Sequence, residues 1–364
     1  MRYALILAGG TGTRLWPLSR RNLPKQLIPA VQGRSLLEEA FARLDGVVEP
    51  SRRYVCAGEA HRAVVLRRVP SLDSGRFLGE PEGRDTLAAI SLGVAVIARG
   101  DPRAVVGVFT ADQVIGPAAE FRAIVRAGFD LVEAAPNTLL TFGIPPREAA
   151  TAYGYLELGE AVGGGGRLVD RFKEKPDRET AARYVAAGPD RYLWNSGMFL
   201  WSAATFLSCV RRYQPRVADS VERIAAAWDG DRRDEVLRAL YPLINKISVD
   251  FAVMEPASTD PAARVAAIPM PLDWRDVGSW DSFAGLLPRD GSGNALGAGT
   301  HVLLDTRGTL VVSDDPAHLV ACIGCEELIV VHAGNSTLVC RKDRAEDIKK
   351  LQERIARELG EAYV

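Results

Sequence analysis

Short apolar runs alternate with longer amphipathic stretches through the first half of the chain. The runs at 3–8, 53–57, 104–109 and 138–142 are five or six residues long and predict strands. Helical patterns lie between them. Ser35-x-x-Glu38 is a capping box that opens a helix running to about Leu44. Residues 86–98 form a second, nearly all-apolar helix, and Pro117 to Glu133 a third. Strands alternating with helices of this length imply an α/β fold with a doubly wound, mostly parallel sheet. Ligands of such sheets bind beyond the carboxyl ends of the strands.

The pattern then changes. Gly163–Gly166 reads as a hairpin tip between 152–158 and 167–173. Residues 205–240 are helical and rich in arginine. Prolines and glycines at 286–300 mark a boundary. Beyond it the runs HVLLD, TLVVS, HLVACIG, ELIVVH and STLVC follow one another to residue 341 with no helix between them. They predict a small β-domain, compatible with a solenoid. A last amphipathic helix follows, with Asp343 as N-cap, Glu346 three residues on, and Ile348, Leu351, Ile355 and Leu359 on one face. The expected domains are therefore 1–288 and 289–364.

The first strand stops at a glycine-rich turn in residues 5–26, LILAGGTGTRLWPLSRRNLPKQ. Glycines at 9, 10 and 12 let backbone N–H groups converge on one concavity, where an anion can sit. Arg14 and Lys25 add full positive charges beside it, as a triphosphate requires. Two other phosphate loops do not fit. No lysine stands at Walker spacing after Gly9, Gly10 or Gly12. A dinucleotide fingerprint starting at Gly10 would need glycine where Leu15 sits. The turn and the segment at Asp112 each directly follow a strand, so they are expected to share one crevice.

This segment resembles the signature of the sugar-1-phosphate nucleotidylyltransferases, and its Trp16-Pro17-Leu18-Ser19-Arg20 continuation is similar to the mannose-1-phosphate guanylyltransferase branch. The resemblance spans nearly the whole chain. It implies a Rossmann-like nucleotidyltransferase domain, a short left-handed β-helix in the C-terminal region, and formation of GDP-mannose and pyrophosphate from GTP and mannose 1-phosphate. Alternatives stay open: another manno-configured sugar 1-phosphate such as a heptose, or a non-catalytic relative that binds a sugar nucleotide and regulates a partner. Retention of Arg14, Lys25, Asp112 and Asp276 favours catalysis.

Such chemistry needs positioning and charge neutralisation more than a protein nucleophile. By the resemblance Asp112 (in VGVFTADQVI) and Asp276 (in DWRDVGSW) hold Mg²⁺ or Mn²⁺, and two carboxylates suffice when substrate phosphates complete the shell. Thr110 and Gln113 depart from the family's Pro-Ala-Asp-His pattern, and Asp273 is expected to be structural. In RFKEKPD, Glu174 is matched to sugar hydroxyls and Lys175 to the sugar phosphate. Asn195 in LWNSGMFLW, Gly154 in AYGYLEL and Asp250 in SVDFAVME complete the sugar-phosphate set, while Met198 and Phe199 are expected in the core. For the nucleotide the matched residues are Ala8, Gly9, Gly10, Thr11, Gly12 and Thr13 in the turn. Glu80, Gly83, Asp85 and Thr86 follow in EPEGRDT. Guanine presents two adjacent donors that one carboxylate can accept together, so Glu80 is the expected base reader.

Bulk properties narrow the classes further. The chain has 364 residues, 47% hydrophobic and 25% charged, with a formal net charge of −1. That is a globular composition with no support for nucleic-acid binding. No apolar run approaches a membrane span, and MRYALILAGG reads as a first strand rather than a signal peptide, so neither membrane nor nucleic acid is an expected partner and the expected compartment is the cytoplasm. A homodimer stays open. Five scattered cysteines argue against a disulfide framework. Cys322-x-x-Cys325 has no second pair at zinc-finger spacing and reads as small apolar residues of a β-region. Seven of the 45 Lys and Arg residues are lysine, and Lys25, Lys173 and Lys175 lie in the motifs above.

Overall fold

The computed structural model describes every residue except Thr11 and Gln32, and the backbone alone of Ala30 and Val31. The chain divides into two compact units. The first comprises Met1–Ala8, Ala40–Ala111 and Ile115–Trp274, and the second Gly9–Glu39, Asp112–Val114 and Arg275–Val364.

The first unit is built on a nine-stranded sheet. Its strands are β1 (Arg2–Leu7), β2 (Arg53–Gly58), β3 (Phe77–Glu80), β4 (Val105–Thr110), β5 (Thr138–Ile144), β6 (Tyr155–Ala161), β7 (Arg167–Lys173), β8 (Tyr192–Ser202) and β9 (Arg264–Pro269). Their spatial order is β3-β2-β1-β4-β8-β5-β9-β7-β6. The run β3-β2-β1-β4 is parallel. β8 enters antiparallel between β4 and β5, and β9 returns parallel to β5. The helix Asp85–Gly100 is buried from Leu87 to Ile97, which explains its nearly unbroken apolar sequence. Its core includes Leu5, Val106, Val108, Phe199 and Trp201. Met198 and Phe199 are buried as expected. The 205–240 stretch is three helices, Ala203–Tyr213, Pro215–Ala226 and Arg233–Leu240. Pro215 starts the second, where its missing N–H costs nothing. The predicted hairpin forms, with β6 and β7 antiparallel and Gly163–Gly165 at the tip.

In the second unit, Ser35 and Glu38 exchange hydrogen bonds as a capping box at the start of helix Leu36–Arg43. The C-terminal β-region forms β-helix-like rungs. Thr300 pairs in parallel with Leu319, and Leu310 with Ile329, nineteen residues on in each case. Leu328–Ala333 and Ser336–Arg341 then close as an antiparallel hairpin. One expectation is corrected. Asp343 is not the N-cap of the last helix: it pairs with Arg341, residues Lys342–Asp347 wind as 3₁₀ turns, and the α-helix runs Ile348–Leu359 behind Asp347. Arg341, two residues away, captures the carboxylate that capping would have used.

Candidate functional site

The glycine turn belongs to the second unit and is shaped by the side chains around it. Gly10 and Gly12 have φ of +104° and +61°. A Cβ on Gly12 would also stand 2.6 Å from Cβ of Lys25, so the lysine stem packs against bare backbone. Ser19 Oγ donates to Gly12 O at 2.6 Å, and Gln26 Nε2 donates to Gly9 O at 2.6 Å. Thr13 and Arg14 begin a single 3₁₀ turn, Thr13–Leu15. Thr11 lies outside the described residues.

Lys25 Nζ stands 2.9 Å from Asp112 Oδ2 and 3.9 Å from Asp276 Oδ1. Asp112 is anchored through its carbonyl, which accepts from Val277 N at 2.9 Å. Burial, and then the charge of Asp112, push the Asp276 carboxyl up to about 6, against the pull of Lys25 and Arg14. The Arg14 side chain is half exposed and reaches Glu346 at 3.4 Å. Arg14, Lys25, Asp112 and Asp276 thus form one cluster of two cations and two carboxylates. Among the described residues no group of three or more His, Cys, Asp or Glu could hold an ion. Two hard oxygen donors of like charge nevertheless suit a small divalent cation whose remaining ligands come from phosphate or water.

In the first unit, β3 delivers Glu80 to its carboxyl end. Glu80 is buried, and Tyr241 Oη donates to its Oε1 at 2.6 Å. Burial raises its pKa, while Tyr241 and the Arg84 N–H hold it down. Gly83 is exposed with open space around it. Asp85 has φ +66°, a conformation that Asp and Asn tolerate better than most residues, and its Oδ1 accepts from Thr86 N at 2.7 Å. Thr86 Oγ1 accepts from Val249 N at 2.9 Å, which fixes the residue before Asp250. Ala8 is buried and donates to Cys56 O at 2.8 Å.

The remaining predicted residues come together in the same unit. Gly154 has no room for a side chain: a Cβ would lie 2.5 Å from Glu174 Oε2 and 3.2 Å from the Phe172 ring. Its carbonyl accepts from Asn195 N at 2.8 Å. Asn195 Nδ2 donates to Asp250 Oδ1 at 2.8 Å. Glu174 is buried, pairs with Lys175 at 3.2 Å, and is raised chiefly by burial. Lys175 sits at φ +44°. Asp250 opens a π-helical turn, Asp250–Met254. Burial and the nearby Glu174 push its carboxyl up to about 7. Sequence reasoning missed Gln26, Tyr241 and Thr141, which hold these groups from behind. Gln26 stood in the PKQ motif, but nothing in the local sequence marks Tyr241, 161 residues from its partner.

The nucleotidyl transferase family model matches residues 3–290, and the model described as MannoseP isomerase/GMP-like beta-helix domain matches 299–355. The chain is 37% identical over 359 residues to the xanthan biosynthesis protein XanB of Xanthomonas campestris pv. campestris, covering 96% of this chain and 72% of that protein. It is 34% identical over 359 residues to a mannose-1-phosphate guanylyltransferase of Escherichia coli, covering 97% and 74%. A crystal structure from Thermus thermophilus, described as mannose-1-phosphate geranyltransferase, superposes with a TM-score of 0.84 at 34% identity, over 97% of this chain and 99% of that one. The family models, the curated relatives and the solved structure agree: the chain belongs to the nucleotidyl transferase family, in its mannose-1-phosphate guanylyltransferase branch, and is an enzyme acting on a sugar 1-phosphate.

Proposed function

We propose that this enzyme makes GDP-mannose and pyrophosphate from GTP and α-D-mannose 1-phosphate. The observation that carries the reading is the cluster of Arg14, Lys25, Asp112 and Asp276, with Lys25 Nζ 2.9 Å from Asp112. A sugar-phosphate oxygen attacks the α-phosphorus in line and pyrophosphate leaves. Arg14 and Lys25 neutralise the charge that passes to the leaving group. The backbone of Gly9, Gly10 and Gly12 receives triphosphate oxygens. Asp112 and Asp276 are the residues that would hold Mg²⁺ or Mn²⁺, which supplies further neutralisation of phosphate charge when bound. Glu80 accepts from guanine N1–H and the 2-amino group, with Gly83, Asp85 and Thr86 shaping the segment. Glu174 accepts from sugar hydroxyls, Lys175 balances the sugar phosphate, and Asn195, Asp250 and the bare backbone of Gly154 complete that subsite.

The test crosses four nucleoside triphosphates with mannose, glucose and heptose 1-phosphates and reads pyrophosphate release. The expected outcome is highest kcat/KM for GTP with mannose 1-phosphate, lost on chelation and restored by Mg²⁺ or Mn²⁺. A higher kcat/KM for a heptose phosphate would replace the sugar assignment. Preference for UTP would overturn the role of Glu80.

A further inference from the structure

β8 slips out of register with β5 beside the sugar subsite. Asn195 faces Gly143 while Phe199 faces Thr141, so Ser196–Gly197–Met198 bulge from the ladder, with Gly197 at φ +73°. Such bulges re-aim side chains. Thr141 fills the gap they leave. Its Oγ1 lies 2.7 Å from Asn195 Oδ1 and 2.9 Å from the Met198 carbonyl oxygen. It is 0% exposed, so neither water nor substrate can take its place.

Both neighbours are acceptors, and a hydroxyl has one proton. Donated to Oδ1, that proton fixes the Asn195 amide with Nδ2 toward Asp250 Oδ1, at 2.8 Å. The reversed amide would set Oδ1 against a carboxylate oxygen with no proton between them, and would turn the Thr141 proton toward Met198. Asp250 would have to be protonated for that arrangement to be satisfied. The charged groups facing Asp250 are Glu174, which opposes its ionisation, and Lys175, which favours it. We infer that Thr141 is a positioning residue for sugar recognition. Its hydroxyl, donating to Oδ1, reinforces with the Asp250 carboxylate the amide orientation in which Asn195 keeps one Nδ2 proton on Asp250 and holds the other for a sugar hydroxyl. This deepens, and rests on, the sugar 1-phosphate subsite proposed above.

Thr141→Val keeps the branched shape and leaves Asn195 Oδ1 without its donor, while Thr141→Ser keeps the hydroxyl. The KM for mannose 1-phosphate should rise about tenfold in the valine variant, the scale of one hydrogen bond. The KM for GTP should stay within about twofold, and the serine variant should recover most of the loss. A second readout needs no turnover. The chain has six asparagines, so asparagine-selective ¹⁵N labelling with Asn195→Asp as the assignment control isolates this amide. Its two proton resonances should be well separated and shift as Asp250 titrates in the wild type, and collapse toward each other in Thr141→Val. An unchanged amide spectrum in the valine variant overturns the inference. So does an equal rise of both KM values accompanied by a lower Tm, which would mark a purely structural role. Absence of turnover with mannose 1-phosphate in the wild type would instead overturn the substrate reading, with the amide spectrum still deciding the role of Thr141.

Discussion

At the scale of single residues the site is a set of charges whose partners decide their use. Lys25 lies between two carboxylates, 2.9 Å from Asp112 and 3.9 Å from Asp276, so removing either carboxylate changes its reach as well as the proposed metal binding. Asp112→Asn and Asp276→Asn should each lower kcat by about 100-fold or more while the far-UV spectrum and Tm stay near wild type, the loss expected when a metal clamp worth several kcal/mol is weakened. Near-normal kcat in both variants would remove the metal assignment. Glu80 is the second case. Its carboxylate is already held by Tyr241 and the Arg84 N–H, and two donors on two oxygens still leave acceptor capacity for a base. Glu80→Gln should lower kcat/KM for GTP by about 1–3 kcal/mol, with UTP falling less or rising. An unchanged GTP-to-UTP ratio in that variant would place base reading elsewhere.

At the scale of elements, alternation of apolar runs with helices located the first strands and helices because each is a local pattern. Chain order could not reveal that β8 inserts between β4 and β5, and that insertion is what brings Asn195 beside Thr141. The motif residues were legible for the same local reason, whereas Tyr241 and Thr141 act across long sequence separations on groups that the motifs named. The last helix shows a local signal defeated by a nearer competitor, since Arg341 takes Asp343 before it can cap. The π-helical turn at Asp250–Met254 yields a pH prediction. Asp250 is held up to about 7, above the ordinary carboxylate value, by burial first and Glu174 second. The folded state therefore keeps its proton more tightly than the unfolded chain between about pH 4 and 7, and the stability this contributes is lost as pH rises through that window. Asp250→Asn retains an acceptor for the Asn195 amide and carries no charge. Its Tm should match wild type near pH 4 and exceed it by about 2 °C or more at pH 8. A gap independent of pH, measured by scanning calorimetry, would mean that Asp250 is not buried as a costly charge.

At the scale of the whole molecule, the second unit ties the continuation of the glycine turn to the C-terminal β-region in one core. Leu15, Trp16 and Leu18 pack with Ile329, Val331, Leu338 and Ile348. Trp16 Nε1 donates to Tyr363 O at 2.7 Å, and Arg20 donates to Ala333 O at 2.6 Å and Asn335 Oδ1 at 2.7 Å. Residues more than 300 positions apart thus set the backbone from which Arg14 projects. The C-terminal hairpin and the last helix thus pack directly against the segment that continues the glycine turn. Leu338 is buried, and Leu338→Ala should cost about 2–5 kcal/mol as a large-to-small core change. Arg20→Ala is milder, because it removes hydrogen bonds to the hairpin and leaves the apolar core whole. It should lower kcat about tenfold, with little change in the KM for mannose 1-phosphate and faster amide exchange across residues 12–20. If amide exchange quickens there while kcat is unchanged, the turn does not need its C-terminal support for catalysis. If both stay at wild-type values, Arg20 does not carry the coupling, and the packing of Leu15, Trp16 and Leu18 with the Trp16–Tyr363 hydrogen bond is left to carry it.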